Sequence, residues 1–108
     1  MSKLLNTSMM LVMTATSISA QSVEMMIPDC RKAHSYCEAY IEGAGHVMMA
    51  NCQVGGDAGL AIGWFPSRAA GRQAYLDWAA DNRSKWNAPF FSGVAQALAE
   101  AFPCSLQR

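Results

Sequence analysis

The chain has 108 residues, which is enough for one small domain but too few for a Rossmann enzyme, a (β/α)8 barrel or a repeat array. Eight Lys and Arg residues balance eight Asp and Glu residues, so no strong field favours nucleic acid or an anionic membrane as a partner. Apolar residues make up 52% of the chain and charged residues 15%, which argues against disorder. The 18 alanines and eight methionines favour packed helices over a β-sandwich.

The first twenty residues predict a cleaved export signal. Lys3 is followed by a moderately apolar stretch without another charge until Glu24, and small residues precede a cleavage point after Ala20. The alternatives are an uncleaved membrane anchor and an N-terminus without a targeting role, but Asn, Ser and Thr residues make the stretch too polar for a ~20-residue span. We therefore expect a signal peptide over residues 1–20, a domain over residues 21–108, and an exported protein with no membrane attachment after cleavage.

Four cysteines follow the predicted signal: Cys30, Cys37, Cys52 and Cys104. An even number in a short exported chain predicts two disulfides, each stabilising the fold by about 2–4 kcal/mol. The alternatives are a metal site and free buried thiols. Cys30, His34 and Cys37 would share one helical face, but the chain has no Cys-x-x-Cys pair of the kind that zinc sites use.

The pairing of the cysteines depends on where the first long helix ends. If residues 30–50 formed one straight helix, Cys30 and Cys37 would lie about 10 Å apart, beyond the ~7 Å that a disulfide spans. A helix stop at Gly43 and Gly45 would let the chain turn back after it. The expected pairs are therefore Cys30–Cys104 and Cys37–Cys52.

The first predicted helix starts after Pro28, with Asp29 as its N-cap. Its apolar residues recur at spacings of three and four: Cys30, Ala33, Cys37, Tyr40, Ile41, Ala44, Val47 and Met48. Arg31, Ser35, Glu38, Glu42 and Gly45 form the opposite face. A stripe of small residues at Ser35, Ala39 and Gly43 is more typical of ordinary packing than of a dimer interface.

Residues 53–66 contain four glycines and form a loop by composition. The loop ends in Trp64 and Phe65, which either pack into the core or are displayed to a partner. Core packing is the default for such side chains, whereas displayed aromatics beside glycines would make binding hot spots. Trp64 and Phe65 are therefore the candidate partner contacts.

Two further helices complete the predicted fold. Ser67 caps a helix that runs to about Asn82, with an apolar stripe of Gly71, Ala74, Tyr75 and Trp78 and an outward Arg72. After a turn, Asn87 and Pro89 open the last helix, which ends before Pro103. Its apolar face comprises Phe91, Val94, Ala95, Leu98, Ala101 and Phe102. The predicted fold class is all-α, a small disulfide-stapled bundle of three to four helices with a glycine-rich loop.

The sequence contains no catalytic constellation. The only histidines are His34 and His46, and the pair Glu38 and Glu42 at i, i+4 is typical of a solvated helix face. Because the cysteines are assigned to disulfides, no cysteine is left as a nucleophile. We expect neither an enzyme nor a bound cofactor or metal.

Two segments resemble a known family. Cys37-Glu-Ala-Tyr40-Ile41-Glu-Gly43 resembles the Cys-x-x-Tyr-[Ile/Val]-x-Gly segment of the Rap/Tai-type immunity proteins of type VI secretion. The ending Ala97-Leu98-Ala99-Glu100-Ala101-Phe102-Pro103-Cys104 is similar to that family's Ala-Leu-x-x-Ala-Phe-Pro-Cys signature. The likeness covers about Cys30 to Cys104, and its specific residues are Cys37, Tyr40, Gly43, Phe102, Pro103 and Cys104. Cys52 departs from the family pattern, in which the third cysteine comes later.

The resemblance implies a small periplasmic helical protein with disulfides, often a homodimer. Such a protein binds a cognate secreted toxin effector, often a peptidoglycan amidase, and occludes it. The resemblance assigns no effector-contacting residues. The alternatives are a periplasmic binding or envelope-maintenance protein without an effector partner, and a small exported enzyme.

Overall fold

The computed structural model describes residues 21–105, so the predicted signal peptide lies outside the described residues. The elements are Val23–Cys30 (α1), Tyr36–Gln53 (α2), Arg68–Asp81 (α3) and Phe90–Ala101 (α4), with 3₁₀ turns at Ala58–Leu60 and Arg83–Lys85. Residues 21–105 form no extended strand, and two disulfides, Cys30–Cys37 and Cys52–Cys104, staple the bundle. The predicted all-α, disulfide-stapled bundle is confirmed.

Helix α1 begins earlier than the sequence predicted. Ser22 is its N-cap, and the Ser22 hydroxyl accepts a hydrogen bond from the Met25 N–H at 3.1 Å. Pro28 and Asp29 lie in the last turn of α1, so Asp29 is not an N-cap residue. Its carboxylate instead accepts a hydrogen bond from the Cys37 N–H at 2.7 Å. Asp29 therefore satisfies an N–H in the first turn of α2 from outside that helix.

The expected pairing of the cysteines is wrong, although all four are in disulfides. The bonds are Cys30–Cys37, with Cα atoms 5.0 Å apart, and Cys52–Cys104, with Cα atoms 5.8 Å apart. Cys30 and Cys37 can pair because α1 ends at Cys30 and the chain reverses before α2, so no straight helix separates them.

Helix α2 continues through the two glycines that were expected to stop it. Gly43 and Gly45 are both helical, and α2 ends only at Gln53. Cys37 and Cys52 consequently lie about 22 Å apart on one helix, at 1.5 Å per residue. The pairs Cys37–Cys52 and Cys30–Cys104 are both excluded, because each would join opposite ends of α2. The terminating glycine is Gly55, which has a φ of 71° just beyond the helix.

Helix α3 contacts the other three helices and carries much of the core. Three residues of its predicted apolar stripe, Gly71, Tyr75 and Trp78, are buried. The buried Tyr75 hydroxyl donates a hydrogen bond to the Val23 carbonyl at 2.8 Å, which joins α3 to the start of α1. Burial raises the pKa of the Tyr75 hydroxyl well above its ordinary value.

Helix α4 ends as predicted, but its buried face is shifted. Its last residue is Ala101, because Pro103 disfavours a helical conformation at Phe102. Phe90 rather than Phe91 enters the core, and Phe91 is 44% exposed. The exposed Phe91 lies beside α2, where it contributes to a surface groove.

Candidate functional site

The two aromatic residues proposed as partner contacts have opposite environments. The Trp64 side chain is 70% exposed, whereas Phe65 is 8% exposed and belongs to the core. Both residues lie in irregular backbone outside the helices, directly before Pro66. Because extended backbone directs successive side chains to opposite sides, one aromatic can be buried while its neighbour faces solvent. Phe65 is therefore packed in the core, and Trp64 is the accessible one of the two candidates.

Phe65 is held between two helices that approach each other through glycines. An added Cβ at Gly45 of α2 would lie 2.7 Å from the Phe65 ring, and one at Gly71 of α3 would lie 2.5 Å from it. The ring also makes edge contacts with Phe102 and His46, with centroids 6.3 Å and 6.1 Å away. This packing holds the backbone from which Trp64 projects.

The segment before Trp64 is bound to the end of the described chain. The Gly63 N–H donates a hydrogen bond to the Phe102 carbonyl at 2.8 Å, and Ile62 forms an isolated β-bridge with Pro103. A shallow depression of about 390 Å³ lies here, lined by Gly63, Trp64, Phe102, Pro103 and Ser105. Trp64 is therefore an exposed aromatic residue whose backbone is held in place by these contacts.

The two segments that resemble the immunity family lie at different ends of α2. Tyr40 and Gly43 lie in its first half, and Cys37 is bonded to Cys30. The Phe-Pro-Cys ending lies near the other end, where Cys104 is bonded to Cys52. Phe102 of the second segment accepts the hydrogen bond from the Gly63 N–H, directly before Trp64 in the chain.

The carboxylates of α2 bind arginines of α3 rather than forming a solvated pair. Glu38 is buried, and its Oε2 accepts a hydrogen bond from Arg72 Nε at 2.7 Å. Glu42 pairs with Arg68 at 3.2 Å, and both of those side chains are partly exposed. The expected solvent exposure of Glu38 and Arg72 is therefore wrong. Acids at i, i+4 on one helix and arginines at i, i+4 on the next were the signal for this ladder.

The surroundings of Glu38 stabilise its ionised form. The hydrogen bond from Arg72 lowers the pKa of Glu38, and the His34 N–H, which donates to Oε1 at 2.9 Å, lowers it further. His34 has a φ of 58° and lies in the turn between α1 and α2. Arg72 also donates a hydrogen bond to the Cys30 carbonyl at 3.3 Å. The Glu38–Arg72 pair therefore connects α2 and α3 to the end of α1.

A second surface feature was not predicted. A groove of about 650 Å³ runs along α2 and is bounded by Leu60 of a 3₁₀ turn and Phe91 of α4. The helical spacing predicts Val47 on the buried face of α2, but the side chain is 70% exposed and lines this groove. Helical periodicity alone could not predict the exposure of Val47, because the buried face of α2 is centred on Ile41, Gly45 and Cys52.

Within residues 21–105, no group of three His, Cys, Asp or Glu side chains is arranged to hold a metal ion. None of the helices in this part of the chain has the length and apolar character needed to cross a membrane. Comparison of the chain with protein-family models, with curated proteins and with solved structures gave no match.

Proposed function

We propose that this protein is a periplasmic immunity protein that binds a cognate secreted toxin effector, a peptidoglycan-degrading amidase, and occludes it. The observation that carries the proposal is the exposure of Trp64 on a rigid base. A partner that covered the Trp64 ring would remove a large apolar surface from water, which favours binding. Tryptophan is also the residue type most enriched among binding hot spots.

The surroundings of Trp64 support a role in tight binding. A side chain on a flexible loop loses conformational entropy when it binds, and this loss weakens the complex. The Gly63 hydrogen bond and the Cys52–Cys104 disulfide restrain the neighbouring backbone before any partner arrives. Occlusion of an enzyme needs only such a rigid, complementary surface and no chemistry of its own.

The disulfides support the proposed location. Structural disulfides persist in oxidising compartments such as the bacterial periplasm and are rare in the cytosol. One bond joins α1 to α2, and the other joins the end of α2 to the segment that follows α4. A toxin that cuts peptidoglycan acts in the same compartment, so an inhibitor located there would meet it directly.

The proposal is tested by directing a candidate cognate amidase to the periplasm of a host bacterium, with and without this protein. We expect the wild-type protein to prevent lysis and to form a stoichiometric complex with the amidase. Trp64→Ala should weaken the complex by roughly 30-fold or more, the loss typical of a hot-spot residue. Binding is measured by calorimetry with the purified proteins.

Tyr36→Ala is the matched control, because Tyr36 is an exposed aromatic at the opposite end of α2. The control should bind the amidase as the wild type does, and both variants should keep the helical circular dichroism signal. Equal lysis with and without this protein would contradict the proposed function. Unchanged affinity of Trp64→Ala in a protective complex would remove Trp64 from the interface.

A further inference from the structure

The groove along α2 has an almost entirely apolar lining, and we call it the α2 groove. Its volume of about 650 Å³ lies within the range of small-molecule sites in proteins. Met48 is buried beneath it, and four more exposed apolar side chains border it: Val47, Val54, Leu60 and Phe91. Their exposed fractions lie between 41% and 80%. Residues 21–105 therefore leave this apolar surface open to a ligand.

Small residues of α2 keep the α2 groove open. Gly43, Ala44 and Ala50 line it, and an added Cβ at Gly43 would meet nothing within 4 Å. A glycine inside a helix lowers the stability of that helix, and Gly43 has no positive φ that would require a glycine. The small side chains leave a depression between the larger apolar residues at its border.

The polar groups along the α2 groove are already used within the chain. Asn51 Nδ2 donates hydrogen bonds to the carbonyls of Asp57 and Leu60, at 3.2 Å and 3.0 Å. The backbone of α2 is hydrogen-bonded within its own helix. An extended peptide in the groove would bury N–H and C=O groups without partners, which is unfavourable. The groove therefore suits an occupant without hydrogen-bonding atoms along its length.

The dimensions of the α2 groove favour a single hydrocarbon chain over a helix. From Tyr40 to Val54, α2 rises about 21 Å, at 1.5 Å per residue. The volume divided by this length gives a mean cross-section of about 31 Å², which corresponds to a width of about 6 Å. A helix with its side chains is at least about 10 Å wide. A chain of about 16 carbons, which advances about 1.3 Å per C–C bond, spans nearly the whole length.

A carboxylate at one end of the α2 groove selects the head group of such a chain. Of the described residues that line the groove, Asp57 is the only one with a formal charge, and its contact with Asn51 places it beside the last turn of α2. The exposed carboxylate attracts a cationic head and repels an anionic one. We propose that the α2 groove binds the hydrocarbon chain of a monoacyl lipid whose head carries an ammonium group, with that group beside Asp57.

The test is calorimetric titration of the disulfide-bonded protein with lysophosphatidylethanolamine, a monoacyl lipid whose head ends in an ammonium group. Each lipid is kept below its micelle concentration. The affinity should rise about two- to fourfold with each added methylene between 10 and about 16 carbons, because each methylene leaves water. It should then level off, since a longer chain extends beyond the groove. Phosphoethanolamine, the head group without a chain, should not bind measurably.

Val47→Asn places a polar amide at the border of the α2 groove. It should weaken binding of the 16-carbon lipid at least about fivefold, because the hydrocarbon chain would cover an amide that has no partner. Met25→Asn is the matched control, since Met25 is an exposed apolar residue of α1 outside the groove. Its affinity for the lipid should match that of the wild type, and both variants should keep the helical circular dichroism signal.

Asp57→Asn tests the selection of the head group. Asp57 Oδ1 accepts a hydrogen bond from the Gly59 N–H at 2.8 Å, and asparagine keeps this acceptor. The variant should bind lysophosphatidylethanolamine about two- to fivefold more weakly, the range of an exposed ion pair. It should bind lysophosphatidylglycerol of the same chain length, an anionic lipid without an ammonium group, more tightly than the wild type does.

Four outcomes would overturn the proposal. The first is a wild type that binds no monomeric lipid, and binding only to vesicles of the same lipid would indicate a membrane-surface contact instead. The second is an affinity that keeps rising beyond about 18 carbons, which would indicate aggregation with lipid. The third is an equal effect of Val47→Asn and Met25→Asn, and the fourth is an unchanged preference between the two lipids in Asp57→Asn.

These outcomes are independent of the proposed function, because no amidase is present in the titrations. If the wild type binds no lipid and Val47→Asn weakens an amidase complex, the α2 groove belongs to the effector interface and the lipid site is excluded. If the lipid binds as expected and no amidase is inhibited, the lipid site stands and the immunity function is excluded.

Discussion

At the scale of single residues, the helical glycines of this protein differ in how much space surrounds them. Gly71 of α3 lies against the Phe65 ring and Ile41, and an added Cβ would come within 2.5 Å and 2.8 Å of their atoms. Gly43 of α2 faces open space. Both positions are inside helices, so replacement by alanine brings the same gain in helix propensity at each. Any difference in stability between the two alanine variants therefore measures how the added methyl group packs against its neighbours.

We expect Gly43→Ala to raise the free energy of unfolding by about 1 kcal/mol. Gly71→Ala should be less stable than Gly43→Ala by about 1–3 kcal/mol, because the added methyl group overpacks the space beside Phe65. Urea denaturation of the two variants beside the wild type measures both values. Equal stabilities of the two variants would contradict the close packing of α2 and α3 around Phe65.

At the level of elements, the ion-pair ladder between α2 and α3 fixes how these two helices lie against each other. Glu38 pairs with Arg72 and Glu42 with Arg68, so a residue further along α2 meets one earlier in α3, as antiparallel helices require. The first pair is shielded from water and the second is partly exposed. Exposed ion pairs contribute little to stability. Protonation of Glu38, in the buried pair, should therefore affect the free energy of unfolding more than protonation of Glu42.

The lowered pKa of Glu38 predicts a loss of stability in acid. The folded state favours the ionised carboxylate, so its contribution is present above the ordinary value of 4.5 and is lost as the pH falls below it. Glu38→Gln should lower stability at neutral pH and reduce the decline between about pH 5 and pH 3. Thermal unfolding across that range measures the effect.

Glu42→Gln is the matched control, because it removes a carboxylate from the exposed pair of the same ladder. If Glu38→Gln and the wild type lose stability in parallel as the pH falls, the contribution of Glu38 to the acid transition is excluded. If Glu42→Gln reduces the decline as much as Glu38→Gln does, the distinction between the buried and the exposed pair is wrong.

At the level of the whole molecule, the two disulfides hold opposite ends of α2. Cys30–Cys37 closes a sequence separation of 7 residues between α1 and the start of α2. Cys52–Cys104 closes a separation of 52 residues and attaches the end of the described chain to the end of α2. A longer closed loop restricts the unfolded chain more, so the second bond should contribute more to stability.

Replacing Cys52 and Cys104 by alanine should lower the free energy of unfolding by about 4 kcal/mol, and replacing Cys30 and Cys37 by about 2 kcal/mol. The paired replacement leaves no free thiol that could exchange with the remaining disulfide. Chemical denaturation of the two double variants beside the wild type measures both losses. A larger loss for the Cys30 and Cys37 pair would contradict loop closure as the main source of stabilisation.

Local physical chemistry let the sequence alone determine several features of this fold. Residues close together in the chain predicted four features: the all-α class, the cap at Ser67, the apolar stripe of α3 and the end of α4 before Pro103. A cap or a proline acts within one turn, and helical periodicity needs only one face to be apolar. The involvement of all four cysteines in disulfides likewise followed from their number.

Only the tertiary structure decided which cysteines pair, whether Trp64 or Phe65 is exposed, and which face of α2 is buried. Each depends on what lies opposite in space. The helical spacing predicts Gly45 on the outer face of α2, but the Phe65 ring packs against it. The same spacing predicts Val47 in the core, but its side chain is 70% exposed. A helix has the same period whichever way it is rotated, so its neighbours, and not its own sequence, select the buried side.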